Sequence, residues 1–248
     1  MKPLDFNQRP LFIRTNYGDD SIALVEWAAQ NLERNGHAGH SNVTVVYVDT
    51  GFAADGWEAR IRQGEERAKQ LGFNPCILKS KITYQDAVMG RQSFPSSKFQ
   101  WCSGLLKGLP FLEYLDDVDI KSHGIILIAK RKVVANAHLN LPEWIERCEF
   151  HNDRTVWHPI LEMTDKERDN LLQGANFPPL YHRSLECEPC VNSTFDDMAR
   201  MSGCDRDRLQ ALETEVGATF KLEPSPEVGE KYLDLFYRGC GNPFGCGS

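Results

Sequence analysis

Long apolar runs are missing from this chain of 248 residues. No stretch is long enough to span a bilayer, which excludes a helical membrane protein. The first residues, MKPLDFNQRPLF, lack the apolar centre of a secretory signal. A cytoplasmic location is the resulting expectation. In that setting the eight cysteines read as thiols or metal ligands rather than as disulfides. Basic excess is also missing, since the formal net charge is -7. Charge alone would not draw the whole molecule to nucleic acid, so a nucleic-acid substrate calls for a partner protein that presents it. Repeats, low-complexity tracts and long linkers are absent. What is present is ordinary globular material, with 41% hydrophobic and 25% charged residues, enough for a substantial core.

The first half alternates between two periodicities. Leu11 to Thr15 reads as a buried strand and is followed by the polar turn Asn16-Tyr17-Gly18-Asp19-Asp20-Ser21. An amphipathic helix starts at once, with Ile22, Leu24, Val25 and Ala28 on its apolar side. Val43 to Val48 is a second strand, ending in Asp49-Thr50-Gly51, and Asp55 to Leu71 a second helix, stopped by Gly72. Further strands are expected at Cys76 to Leu78 and Gly124 to Ala129. Strands separated by helices imply right-handed βαβ units and a parallel sheet. Ligands on such sheets sit at the C-terminal strand ends. Three polar groups fall there: the turn after strand one, Asp49 and Thr50 after strand two, and Lys130-Arg131-Lys132 after strand four.

From about Pro142 the strand pattern fades and helical pieces take over, at Thr164–Leu172, Phe195–Met201 and Asp205–Val216. Thr164 with Glu167, and Thr194 with Asp197, have capping-box spacing. The simplest division is an α/β core over 1–140 and a helical, cysteine-bearing region over 141–248, packed on it as one unit.

The first turn is a place where backbone N–H groups and a helix N-terminus converge, which suits phosphate. It lacks the Gly-Lys-Ser/Thr of a Walker A loop. It resembles instead the PP-loop, Ser-Gly-Gly-x-Asp-Ser, of ATP pyrophosphatases and sulfonucleotide reductases. Gly18, Asp20 and Ser21 match; Asn16 and Tyr17 depart from the Ser and first Gly. Three further segments resemble blocks of the PAPS reductase-like superfamily. VVYVDTG is similar to its second nucleotide block. WCSGLLKGLP is similar to Cys-Thr-x-x-Leu-Lys-x-x-Pro, matching at Cys102, Leu106, Lys107 and Pro110. WHPILEMT with PPLYHRSLECEPC is similar to Pro-Ile-x-x-Trp-Thr, Pro-Leu-Tyr and Cys-x-Pro-Cys, matching at Pro159, Ile160, Thr164, Pro179, Leu180, Tyr181, Cys187, Pro189 and Cys190. The resemblance runs from about residue 10 to about residue 200. It implies an adenine nucleotide alpha hydrolase-like fold, a parallel twisted sheet flanked by helices.

On this reading the N–H groups of Gly18, Asp19, Asp20 and Ser21 hold pyrophosphate, and Asn16 of the same turn counts with them as nucleotide-binding. Ser21 donates to a phosphate oxygen. Asp20 caps the loop or helps hold Mg2+. Asp49, beside Thr50, accepts from a ribose hydroxyl or ligates the metal. Lys107 and Arg131 are the cations expected against the phosphates. The plainer alternatives are a surface helix lysine at 107 and a solvated basic loop at 130–132. None of the histidines is given a catalytic role.

The cysteines narrow the resemblance. Cluster-bearing sulfonucleotide reductases resemble one another in Cys-Cys followed, about 80 residues on, by Cys-x-x-Cys. Cys102, Cys187 and Cys190 match three of those positions, but Trp101 stands where the first Cys is expected. Cys246 or Cys240 is the candidate fourth ligand; alternatively the fourth iron stays open to bind sulfide. A 4Fe-4S cluster is the leading expectation, with zinc, or no metal, as the alternatives. The ending RGCGNPFGCGS departs from the reductases' terminal Glu-Cys-Gly-Leu/Ile-His. Three functions follow from the resemblance. The first is an ATP pyrophosphatase that adenylates a substrate for sulfur transfer, such as DNA phosphorothioation, working with a cysteine desulfurase or other sulfur donor. The second is a thioredoxin-dependent reductase acting on a sulfonucleotide. The third is a non-catalytic nucleotide-binding iron–sulfur subunit.

Overall fold

The computed structural model describes residues 9–34, 41–96, 99–132, 141–180 and 182–220. Cys240 and Cys246 lie outside the described residues. Six strands form one sheet in the order β3-β2-β1-β4-β6-β5. They are β1 (Leu11–Thr15), β2 (Val43–Asp49), β3 (Asn74–Lys79), β4 (Ile125–Ile128), β5 (Trp144–Cys148) and β6 (Arg154–Trp157). All neighbouring pairs are parallel except β5 with β6. The fold is therefore the expected one, a mostly parallel α/β sheet with helices on both faces.

Central strand β1 is buried at every position, as a parallel strand covered on both faces must be. Its alternation divides the core. Leu11 and Ile13 join Val43, Val45, Ile125 and Leu127 beneath α1 (Asp19–Arg34) and α2 (Trp57–Gln70). Phe12, Val46, Ile126 and Val156 face the opposite layer and meet Phe111 and Leu115. Those two belong to a helical stretch made of α4 (Trp101–Ser103), a π-turn (Gly104–Gly108) and α5 (Leu109–Val118). Beyond the sheet, α3 (Tyr84–Arg91) packs on α8 (Gly203–Val216) around Phe52, Tyr84, Trp101 and Leu212. Between α5 and α8 in the chain come α6 (Asp165–Gly174), which packs on α1, and α7 (Phe195–Arg200), both started by the capping boxes read from Thr164 and Thr194. Among the described residues no helix is long and apolar enough to cross a membrane.

The expected fading of strands past Pro142 is corrected here. β5 and β6 complete the sheet on the far side of β4, so a division at residue 140 cuts through one sheet. Their periodicity was weak because β6 is short and starts with Arg154, a buried charge. That guanidinium is satisfied locally. It donates to Asp119 Oδ2 (2.9 Å), to the Asp119 carbonyl (3.0 Å) and to the Leu115 carbonyl (3.1 Å).

Candidate active site

The loop after β1 is built by its own side chains. Asn16 Oδ1 accepts from Gly18 N (2.9 Å) and from the Ser21 hydroxyl (2.6 Å). Its amide donates to Ser184 Oγ at 2.9 Å. A Cβ on Gly18 would stand 2.9 Å from Ser184 Cβ, so this crossing requires glycine. Tyr17 adopts φ 57°, a conformation that favours glycine, and its ring leaves the loop for the core. There it stacks on Tyr47 with centroids 5.6 Å apart and lies over Gly64 of α2. The bulky residue in the PP-loop-like turn therefore does not narrow the space above it. Arg60 braces the turn from outside, donating to the Tyr17 carbonyl (2.8 Å) and to Asp19 Oδ1 (2.8 Å). Asp19 Oδ2 also accepts from Leu180 N at 2.9 Å. Burial raises the Asp19 carboxyl despite these partners.

The loop opens on a cleft at the C-terminal strand ends, where β1, β2 and β4 leave the sheet. Thr15, Asn16 and Ser21 form one wall, Tyr47, Val48, Ile128 and Ala129 the floor. Charge enters from Arg14, Lys107, Lys130 and Glu186. Lys107 is not a surface lysine: its side chain is 9% exposed and Nζ sits 2.8 Å from Glu186 Oε1. It stands on the π-turn, an irregularity that recurs at functional sites. Burial pushes the Glu186 carboxyl up, and the Lys107 ammonium, aided by Ser184, outweighs this and holds it below the ordinary value.

Four expected residues, Arg131, Asp20, Asp49 and Thr50, do not line the cleft. Arg131 is buried away from the cleft, donating to Asp20 Oδ1 (2.7 Å), Asp165 Oδ1 (2.8 Å) and the Met163 carbonyl (3.3 Å). Its planar fork finds two carboxylates and a carbonyl, and ties the start of α1 to that of α6. Within 130–132, Lys130 lines the cleft instead, while Lys132 pairs on the surface with Glu162. Asp20 is accordingly held by Arg131, with Arg168 3.7 Å away. Asp49 accepts from Gly51 N at 2.8 Å and shapes the turn after β2. Thr50 is buried and clamps the cysteine segment, its hydroxyl 3.2 Å from the Glu186 carbonyl and 3.3 Å from Cys187 Sγ.

A second cavity lies behind the first. Cys102, Cys187 and Cys190 line it together with Tyr84, Pro189 and Val191, and Lys107 borders both cavities. The structure thus brings together the three thiols that the spacing singled out. Burial pushes the Cys187 thiol up to about 12, with Lys107 opposing. As a donor set, sulfur atoms from two segments around an apolar cavity fit a thiolate-bound cluster or zinc in kind. Among the described residues no group of three His, Cys, Asp or Glu stands in metal-binding geometry. Cys246, the expected fourth ligand, is outside the described residues.

Sequence reasoning missed Arg14, Ser184 and Glu186. Arg14 carried a signal, as a lone charge inside the apolar strand LFIRT.

No protein-family model and no curated protein matches the chain. Similar solved structures include phosphoadenylyl-sulfate (PAPS) reductase from Candida auris in a phosphate complex. That likeness has 12% identity and a TM-score of 0.46, covering 68% of this chain and 74% of that one. The U34-tRNA thiolase NcsA from Methanococcus maripaludis with its [4Fe-4S] cluster is similar at 16% identity and TM-score 0.47. That match covers 91% of this chain and 69% of that one. NAD+ synthetase from Burkholderia pseudomallei is similar at 12% identity and TM-score 0.42, with 92% and 73% covered.

Proposed function

We propose that the protein is an ATP-using, PP-loop-type sulfur-transfer enzyme that cleaves ATP between the α- and β-phosphates. The observation that supports this most is the cleft itself. A glycine-dependent loop runs into the N-terminus of α1, and Arg14, Lys107 and Lys130 face the space above it. The first-turn N–H groups of α1 hold the pyrophosphate. An acceptor oxygen attacks the α-phosphate, the bond to the β-phosphate breaks, and pyrophosphate leaves with Lys107 and Lys130 neutralising its charge. A sulfur nucleophile then displaces AMP. Cys102, Cys187 and Cys190 would hold a 4Fe-4S cluster, with Cys246 completing it, and Mg2+ would accompany the nucleotide. Closed by four thiolates, such a cluster would hold the cysteine segment in place; sulfide would bind its fourth iron only where the fourth thiolate is absent. A cysteine desulfurase as sulfur source and a nucleic-acid acceptor delivered by a partner, as in DNA phosphorothioation, complete the reading. The acidic chain supports presentation by a partner, since its net charge of -7 does not recruit a polyanion.

Chromatography of products tests the reaction class. AMP and pyrophosphate are expected from ATP with Mg2+. ADP and phosphate, or sulfite from PAPS with reduced thioredoxin, would overturn the proposal.

A further inference from the structure

One carboxylate in the cleft is out of place for an anion site. Glu186 lines the same cleft as Arg14, Lys107 and Lys130, and its side chain is only 5% exposed. Oε1 is occupied, with Lys107 Nζ at 2.8 Å and Asn16 Nδ2 at 3.4 Å. Oε2 is buried and makes no hydrogen bond. A buried acceptor left this way is costly, and natural structures rarely tolerate one without a purpose. A polyphosphate entering beside this oxygen would meet like charge at short range in a low-dielectric setting. A divalent cation between the two removes both problems at once. Mg2+ is commonly held by one or two carboxylates together with substrate phosphates.

The carboxylates marked by the sequence are worse placed. Asp20 also leaves Oδ2 without a hydrogen bond, but it does not line the cleft and it faces two guanidinium groups, Arg131 at 2.7 Å and Arg168 at 3.7 Å. Asp49 spends Oδ1 on Gly51 N and is not part of the cleft wall.

We infer that Glu186 Oε2 is the protein's ligand for the divalent cation that accompanies the nucleotide, with Lys107 fixing the other oxygen. The inference rests on the nucleotide-binding reading of the cleft. It makes Glu186, next to Cys187, the residue through which metal-bound phosphate abuts the thiol cavity.

Calorimetric titration of ATP into the full chain, in EDTA and in Mg2+, separates the two claims without relying on turnover. Wild type should gain about tenfold or more in ATP affinity from Mg2+, a usual coupling between linked ligands. Glu186→Gln should bind ATP in EDTA at least as well as wild type and show no gain from Mg2+. Asp49→Asn should keep the gain. Equal gains in wild type and Glu186→Gln would overturn the inference and leave the nucleotide site standing. An absence of ATP binding by wild type in both buffers would overturn the nucleotide reading as well. If circular dichroism shows Glu186→Gln unfolded, Glu186→Asp decides. A reduced gain supports the assignment, and an undiminished gain overturns it.

Discussion

Two buried ion pairs sit at opposite ends of the sheet and are finished differently. At the N-terminal end, Arg154 and Asp119 are almost fully enclosed. Asp119 also accepts from His123 N (3.3 Å) and Gly124 N (3.0 Å), and Arg154 donates to the carbonyls of Leu115, Asp119 and His151 besides. At the C-terminal end, Lys107 and Glu186 leave Oε2 unmatched, and Asp20 Oδ2 and the Tyr47 and Tyr84 hydroxyls are buried near them without hydrogen bonds. Satisfied polar groups lock an architecture, whereas orphaned ones invite a ligand. The difference separates what holds this fold from what the fold is for.

The largest effect should come from breaking the finished pair. Asp119→Ala leaves the buried Arg154 charge with only the half-exposed Asp116 carboxylate, 3.1 Å from Nη1, and should cost about 3 kcal/mol in urea unfolding. Residual ATP affinity at low temperature should be unchanged. A cost below about 1 kcal/mol would show that the pair is not the clamp described.

A pH dependence follows from the same end. Burial, with the Arg14 charge next and those of His158 and Arg154 beside it, pushes His151 down from 6.5 to about 3. Protonation therefore favours the unfolded chain. Stability is intact above pH 6.5 and falls as pH drops toward 3, by up to about 1.4 kcal/mol per pH unit from this group. His151→Gln should flatten that part of the curve. Parallel acid-unfolding curves for the two proteins would contradict the assignment.

Smaller effects are expected at the loop. A Cβ at Gly64 would stand 2.1 Å from the Tyr17 ring, so Gly64→Ala should destabilise by about 1–3 kcal/mol. It should also weaken ATP binding, because Tyr17 anchors the turn. Retained affinity with lost stability would uncouple the anchor from the site. Ser21→Ala removes one donor and should weaken ATP binding by about 1 kcal/mol, read by calorimetry.

Much of this was legible before any coordinates. The β1–turn–α1 unit, the capping boxes at Thr164 and Thr194, and the convergence of Cys102 with Cys187 and Cys190 follow from periodicity, side-chain chemistry and family-like spacing. Strands β5 and β6 were not, because Arg154 breaks the apolar pattern and its charge is met mainly by Asp119 and the Leu115 carbonyl, more than 30 positions away. Nor could the sequence tell which of Lys130 and Arg131 faces the cleft. That choice depends on Asp20 and Asp165 meeting Arg131 across the loop. Glu186 was hidden for a similar reason. Nothing local marks a carboxylate whose meaning lies in Lys107, 79 positions away.

The proposed function makes the unfinished end of the sheet a nucleotide site organised around Lys107. ATP binding to wild type and to Lys107→Met, measured by calorimetry with both proteins shown to be folded, tests it most directly. Lys107→Met should lose at least tenfold in affinity, about 1.4 kcal/mol or more. Equal affinities for the two proteins would contradict it.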